Sequence, residues 1–120
     1  MHNCSSLIVT CIDFRIQSFV EDWARKNLGE KQYDRVGWAG GVLKIEEIMG
    51  QIDISVRLHG IKKVVLMNHE DCGAYGETGT QDKHRQDLLA AAAEKIKIKH
   101  PNLSTETYFV KLSGEIAKTN

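Results

Sequence analysis

Two residues able to hold a metal, His69 and Cys72, stand three positions apart in the segment NHEDCGAYG (residues 68–76). The run KKVVLMN that leads into it reads as a buried strand, so the pair falls where a strand gives way to a glycine-rich loop. Imidazole nitrogen and thiolate sulfur are ligands that Zn²⁺ favours. On its own an H-x-x-C pair is a weak signal, more often a satisfied histidine beside a small buried thiol. Cys11, at the end of the apolar run LIVTCI, offers a third soft ligand. Two thiolates and one imidazole leave a fourth position for water, as a catalytic rather than a structural zinc site does. Iron or cobalt could occupy this set, with zinc the better match to mixed sulfur and nitrogen.

The stretch CIDFR (residues 11–15) adds charge to the set. In an extended chain Cys11, Asp13 and Arg15 share one side, with Ile12 and Phe14 on the other. A carboxylate two residues from a ligand can accept a hydrogen bond from metal-bound water, or take the fourth position itself. Arg15 can hold that carboxylate in a bidentate pair and keep it off the metal. An ordinary surface ion pair is the alternative for Asp13 and Arg15 taken alone.

These residues meet only if the fold brings them together. LIVTCI (7–12) is a short β-branched run, and Ile16, Phe19, Val20, Trp23, Ala24 and Leu28 then recur at helical spacing. Ser18 and Glu21 fit a capping box for that helix and Gly29 its exit. A weaker strand, YDRVGWAGG (33–41), precedes a second helix marked by Ile45, Ile48, Met49, Ile52 and Val56 and closed by Gly60. After the strand at 62–68, the polar stretch from Gly73 to about Arg85 reads as a loop. Leu88, Leu89, Ala92, Ala93 and Ile96 then give a third helix, which Pro101 ends, and TETYFVKL (105–112) gives a fourth strand.

The alternation β-α-β-α-β-α-β predicts an α/β fold: a mainly parallel four-stranded sheet in the order 2-1-3-4, with helices on its faces and one domain over residues 1–120. Strands one and three are then neighbours at a topological switch point, where ligands bind beyond the carboxyl ends of the strands. Cys11 ends strand one, and His69 with Cys72 end strand three. The three can therefore converge in space.

Composition narrows the function classes. A chain of 120 residues, 42% hydrophobic, has the size of one core, and its 16 basic and 16 acidic residues cancel without forming a block of either sign. No basic stripe invites nucleic acid and no apolar run is long enough to span a bilayer. MHNCSSLIVTCID lacks a basic segment leading into a signal core, so a cytoplasmic location is expected. Three cysteines make a poor disulfide framework, which leaves metal binding, nucleophilic chemistry or packing for the thiols.

C-x-D-x-R followed by H-x-x-C-G resembles the β-class carbonic anhydrases, and the resemblance runs from LIVTCIDFR through GWAGG and NHEDCGA toward FVKLSGEIAK. It implies one zinc ion per chain on Cys11, His69 and Cys72, with Asp13 and Arg15 as a gating dyad and the Gly73 backbone N–H near the substrate. The implied reaction is reversible hydration of CO₂ to bicarbonate by zinc-bound hydroxide, in a homodimer or higher homo-oligomer with apolar side chains lining the pocket. Trp38, Phe14 and Tyr75 are candidates for that lining, and His84 for the proton exit. Phe14 stands where the family has serine, and Gln17 and Ser18 where proline is expected. Gly37–Gly41 keep only the central Ala-Gly of R-N-A-G-N, and Asn68 replaces a glycine before the histidine. An altered pocket leaves carbonyl sulfide or carbon disulfide as alternative substrates, and a non-catalytic zinc module as another alternative. A phosphatase- or sulfurtransferase-type thiol at Cys11 lacks the glycine-rich anion loop it would need. Neither Gly73, Gly76 and Gly79 nor any other segment forms a phosphate-binding motif. His2 and Cys4 lie outside this account.

Overall fold

A computed structural model of the chain describes residues 2–76 and 81–120, with the side chains of all of these except 81–85. Strand β1 (Ser6–Thr10) is followed by helix α1 (Gln17–Leu28), strand β2 (Tyr33–Gly37) and helix α2 (Ile45–His59). Strand β3 (Lys63–His69), helix α3 (Gln81–Lys99), strand β4 (Ser104–Val110) and strand β5 (Ile116–Lys118) complete the order. The sheet runs β2-β1-β3-β4-β5, parallel except for β5. The order 2-1-3-4 expected from the alternation is therefore present, with a fifth strand added at the β4 edge.

Both faces of the sheet are covered, which is why β1 is buried along its whole length and β3 from Val64 onward, with apolar centres (Leu7–Val9, Val64–Met67) that do not alternate. Leu7, Val9, Val64 and Leu66 point to one face and pack with Ile48, Ile52, Leu89 and Ile96 of α2 and α3. Ile8, Val65 and Met67 point to the other and meet Ile16, Val20 and Ala24 of the α1 segment. Full burial of such side chains contributes about 1.5–3 kcal/mol each, so the two clusters fix the register of β1 against β3, with Val9 level with Leu66.

Four local expectations change. Helix α1 begins at Gln17 with Ile16 as its N-cap and no side-chain cap, so Ser18 and Glu21 do not form a capping box. The backbone starts this helix instead: a turn from the Ile16 N–H to the Asp13 carbonyl leads directly into the first helical bond, Val20 N–H to Ile16. Beyond Thr10 the chain leaves the sheet, so CIDFR is a turn rather than a strand end. The expected loop to Arg85 is shorter, because α3 already starts at Gln81. Strand β5 carries only Ile116 and Ala117 as apolar residues, too few to show a period, and pairs through a turn at Gly114 (φ 101°). Gly29 and Gly60 do close α1 and α2, the latter in the left-handed region with its N–H on the Val56 carbonyl. No helix among the described residues is long and apolar enough to cross a membrane.

Candidate metal centre

The chain runs from β1 outward to β2 and returns on the other side as β3, so β1 and β3 flank the switch point. Cys11 follows the last residue of β1 and His69 is the last of β3. Asp71 then turns the chain back with φ 55°, a conformation aspartate tolerates better than most residues, and this returns Cys72 beneath His69. One ligand atom from each of Cys11, His69 and Cys72 lies within 4.8 Å of the others, and the three residues are 4%, 1% and 3% exposed. The topology and the turn at Asp71 bring this trio together.

The donor set fits zinc. The Cys11 and Cys72 sulfurs are 3.8 Å apart, and a tetrahedral ion with bonds of about 2.3 Å to sulfur requires a separation of about 3.8 Å. None of the three cysteines forms a disulfide. The His69 Nδ1–H donates to the Glu70 carbonyl at 2.7 Å, which fixes the tautomer and turns Nε2 toward the thiols. Burial by itself would push the Cys11 thiol up. The hydrogen bond with His69 and the Gly40 N–H, 3.3 Å from the sulfur, outweigh it and bring the thiol down to about 7. His69 moves the opposite way: burial would lower it, but its bonds to Cys11 and the Glu70 carbonyl raise it.

Asp13 faces this trio and is held by Arg15. Its Oδ2 accepts from Arg15 Nη2 at 2.7 Å, and its Oδ1 accepts from Arg15 Nε at 3.0 Å and from the Arg15 backbone N–H at 2.8 Å. The guanidinium bond is the main reason the carboxyl sits at about 2. Asp13 Oδ2 is 3.8 Å from His69 Nε2, while Arg15 also reaches the Asp71 carbonyl at 2.9 Å and its carboxylate at 3.2 Å. The carboxylate is thus engaged by Arg15 with both oxygens.

Sequence reasoning missed the residues that hold this arrangement. The Gln17 amide donates to the Cys11 carbonyl at 3.1 Å and the Asp13 carbonyl at 2.7 Å, pinning the turn after β1. Asn68 Oδ1 accepts the Val42 N–H at 3.2 Å, and its amide donates to the Tyr75 hydroxyl, which donates to the Gly40 carbonyl at 2.6 Å. That chain holds the loop carrying the Gly40 N–H against Cys11. Gly41 (φ 61°) fits only without a side chain: a Cβ there would come within 2.3 Å of Asn68 Oδ1. Gln17 and Asn68 are two of the positions where the family pattern has another residue, and that was the signal available.

The other expected residues are divided. Gly73 opens a short 3₁₀ turn, Gly73–Tyr75, and is exposed. Tyr75 belongs to the loop network, and Trp38 packs on the α2/α3 face of the core. Phe14 is 85% and Ile12 63% exposed, together on the turn beside the trio. The His84 side chain and Gly79 lie outside the described residues.

Comparison with known proteins places this geometry in context. A family model described as "Putative carbonic anhydrase" matches residues 1–120. An uncharacterized protein of Rickettsia bellii is 30% identical over 97% of this chain and 82% of its own length. A carbonic anhydrase from Glaciozyma antarctica has the same fold, with a TM-score of 0.76 at 17% identity over 100% of this chain and 85% of that one. A carbon disulfide hydrolase in its apo form shares it too, with a TM-score of 0.70 at 14% identity over 99% of this chain and 80% of that one.

Proposed function

The chain belongs to that carbonic anhydrase family, and from this premise we propose that it hydrates CO₂ reversibly to bicarbonate at a zinc centre on Cys11, His69 and Cys72. The observation that carries the reading is the buried trio with its 3.8 Å sulfur separation, faced by a carboxylate that Arg15 engages with both oxygens. Zinc held there would supply a Lewis acid that brings the pKa of water toward neutrality. Two thiolates cancel the charge of the ion, so an acceptor on the water side matters more here than in a site of neutral ligands.

Asp13 is that acceptor. Held at about 2 chiefly by its hydrogen bonds from Arg15, it stays ionised at any working pH and orients the reacting water. Arg15 acts through it as a positioning residue, and the exposed Gly73 offers a backbone N–H toward the substrate. Ile12 and Phe14 give an apolar substrate a dry wall once covered, and a second copy of the chain is the cover this reading assigns. This reading places the chain in a reducing, cytoplasmic compartment, where both thiols stay available to the ion.

A second reading keeps zinc and changes the substrate to a sulfur analogue of CO₂, because a carbon disulfide hydrolase shares the fold. Competing assays separate the two. Stopped-flow CO₂ hydration and sulfide release from carbonyl sulfide and carbon disulfide are measured on one zinc-loaded preparation. Hydration well above the sulfide rates supports the first reading; sulfide release without hydration transfers the function to the second.

A further inference from the structure

A second set of ligand-type side chains lies at the opposite end of the sheet. Cys4 precedes β1, Asp34 lies on β2 level with Leu7, and His59 is the last residue of α2. One ligand atom from each lies within 4.8 Å of the others, and all three residues are half-buried. The Cys4 N–H bonds the His59 carbonyl at 3.1 Å, which fixes the thiol's backbone beside the histidine. Asp34 Oδ2 accepts from His59 Nδ1–H and from Ser55 Oγ, each at 2.6 Å, so a bound ion would replace the histidine proton and part that pair to about 3.3 Å. Ser55 is one helical turn before His59, so both reach the same carboxylate.

We propose that Cys4, Asp34 and His59 form a second metal site, for a divalent ion of the zinc class, separate from the trio at the carboxyl end of the sheet. The donor types select the ion. A thiolate and an imidazole exclude Mg²⁺ and Ca²⁺, which take oxygen, and one thiolate with one carboxylate balances a double charge. The place suits a cation as well, because the carbonyl end of the 15-residue helix α2 points there. A cleft of about 250 Å³, lined by Leu7, Asp34, Ser55 and His59 among others, leaves room for water as a fourth ligand. Ser55 orients the carboxylate as a bound second partner does in metal sites. Arg35 does not compete for Asp34, since its guanidinium is turned to Glu21 at 3.1 Å and Gln17 at 2.6 Å. Filled, the site ties the segment before β1 to β2 and to the end of α2, so its effect is on stability rather than turnover.

The test loads Co²⁺ into a Cys11→Ser/Cys72→Ser double variant, which lacks the thiols of the carboxyl-end trio, and measures bound metal after excess is removed. One ion per chain with a thiolate-to-cobalt charge-transfer band, both lost when Cys4→Ser is added, is the expected result. Ser55→Ala in the same background is expected to weaken cobalt binding about 10–100-fold. No bound cobalt in a folded double variant overturns the inference, as does a band that survives Cys4→Ser. Should the double variant not fold, His59→Ala in the otherwise unchanged chain decides. Zinc content falling from two ions per chain to one, with a lower melting temperature for the zinc-loaded protein, supports the site, and unchanged content refutes it. Because CO₂ hydration is expected to persist in His59→Ala, failure here leaves the proposed reaction standing.

Discussion

At the carboxyl ends of the strands Cys11, His69 and Cys72 are sealed from solvent, while at the amino ends Cys4, Asp34 and His59 are half-buried, the last two lining a cleft. The residue types overlap but their surroundings do not. Cys11 receives the Gly40 N–H and sits beside the His69 ring, so its thiol falls to about 7 despite burial. Cys4 donates to the Ser6 carbonyl at 3.6 Å, and burial together with the Asp34 carboxylate pushes its thiol up. The contrast follows from topology. The switch point between β1 and β3 opens a gap that loops fill with backbone N–H groups, and those favour anions such as thiolate. At the other end the chain meets carbonyls and a carboxylate, which favour a bound cation and leave the thiol unactivated. The reaction is accordingly proposed for one end and a structural ion for the other.

The largest expected effect breaks one end without touching the other. Cys11→Ser is expected to lose the carboxyl-end metal and reduce CO₂ hydration to the uncatalysed background, while metal analysis still finds the Cys4-dependent ion. Loss of both ions together would mean that the two ends are one coupled unit.

Next in size is the scaffold of the carboxyl end. Gly41→Ala forces a Cβ to 2.3 Å from Asn68 Oδ1 and 2.9 Å from the Met67 carbonyl at positive φ. Strain and overpacking of about 1–3 kcal/mol each are expected to lower the urea midpoint. Asn68→Ala leaves the buried Val42 N–H without its side-chain acceptor and is expected to cost about 1–3 kcal/mol. A wild-type midpoint in both variants would remove this network from the account.

A smaller effect sharpens the electrostatic contrast. In metal-free protein, ultraviolet thiolate absorption is expected to rise first near pH 7, from Cys11, while Cys4 ionises above the ordinary cysteine value of 9.0. The early step should survive Cys4→Ser and vanish in Cys11→Ser. If Cys4→Ser removes it, the assignment of the two environments is reversed.

The smallest effect concerns acid stability. Asp13 is lowered from 3.8 to about 2 in the folded chain, so the unfolded chain binds its proton first as pH falls. Its contribution is fully present above about pH 4 and is lost as pH drops through about 2. The urea midpoint of wild type is therefore expected to fall more steeply between pH 4 and pH 2 than that of Asp13→Asn. Parallel curves would mean that the Arg15 pair adds nothing measurable.

How much of this was legible in the sequence differs between the two ends as well. The carboxyl-end trio could be read because β1 and β3 are continuous apolar runs and βαβ crossovers have one hand, which fixes where their ends meet. Helix α2 was equally plain from its spacing and terminal glycine, whereas α3 was legible only from Leu88, because its first residues, QDKHRQD, carry no apolar period. The start of α1 was not, because a backbone turn replaced the side-chain cap the pattern suggested. Strand β5 was too short to carry a period, Asn68 accepts from a Val42 N–H 26 residues away, and Gln17 bonds the carbonyls of a nearby turn that no side-chain pattern marks. The Cys4, Asp34 and His59 cluster was invisible for a related reason. Its members come from a strand lead-in, a strand and a helix end, with no short motif, and only the register of β1 with β2 and the exit of α2 unite them.

The measurement that bears most directly on the central claim is stopped-flow CO₂ hydration by Cys72→Ser and Cys4→Ser side by side, each with its zinc content determined. The account predicts that Cys72→Ser is inactive and that Cys4→Ser hydrates CO₂ at the wild-type rate. Hydration retained in Cys72→Ser, or abolished in a folded Cys4→Ser, would contradict it.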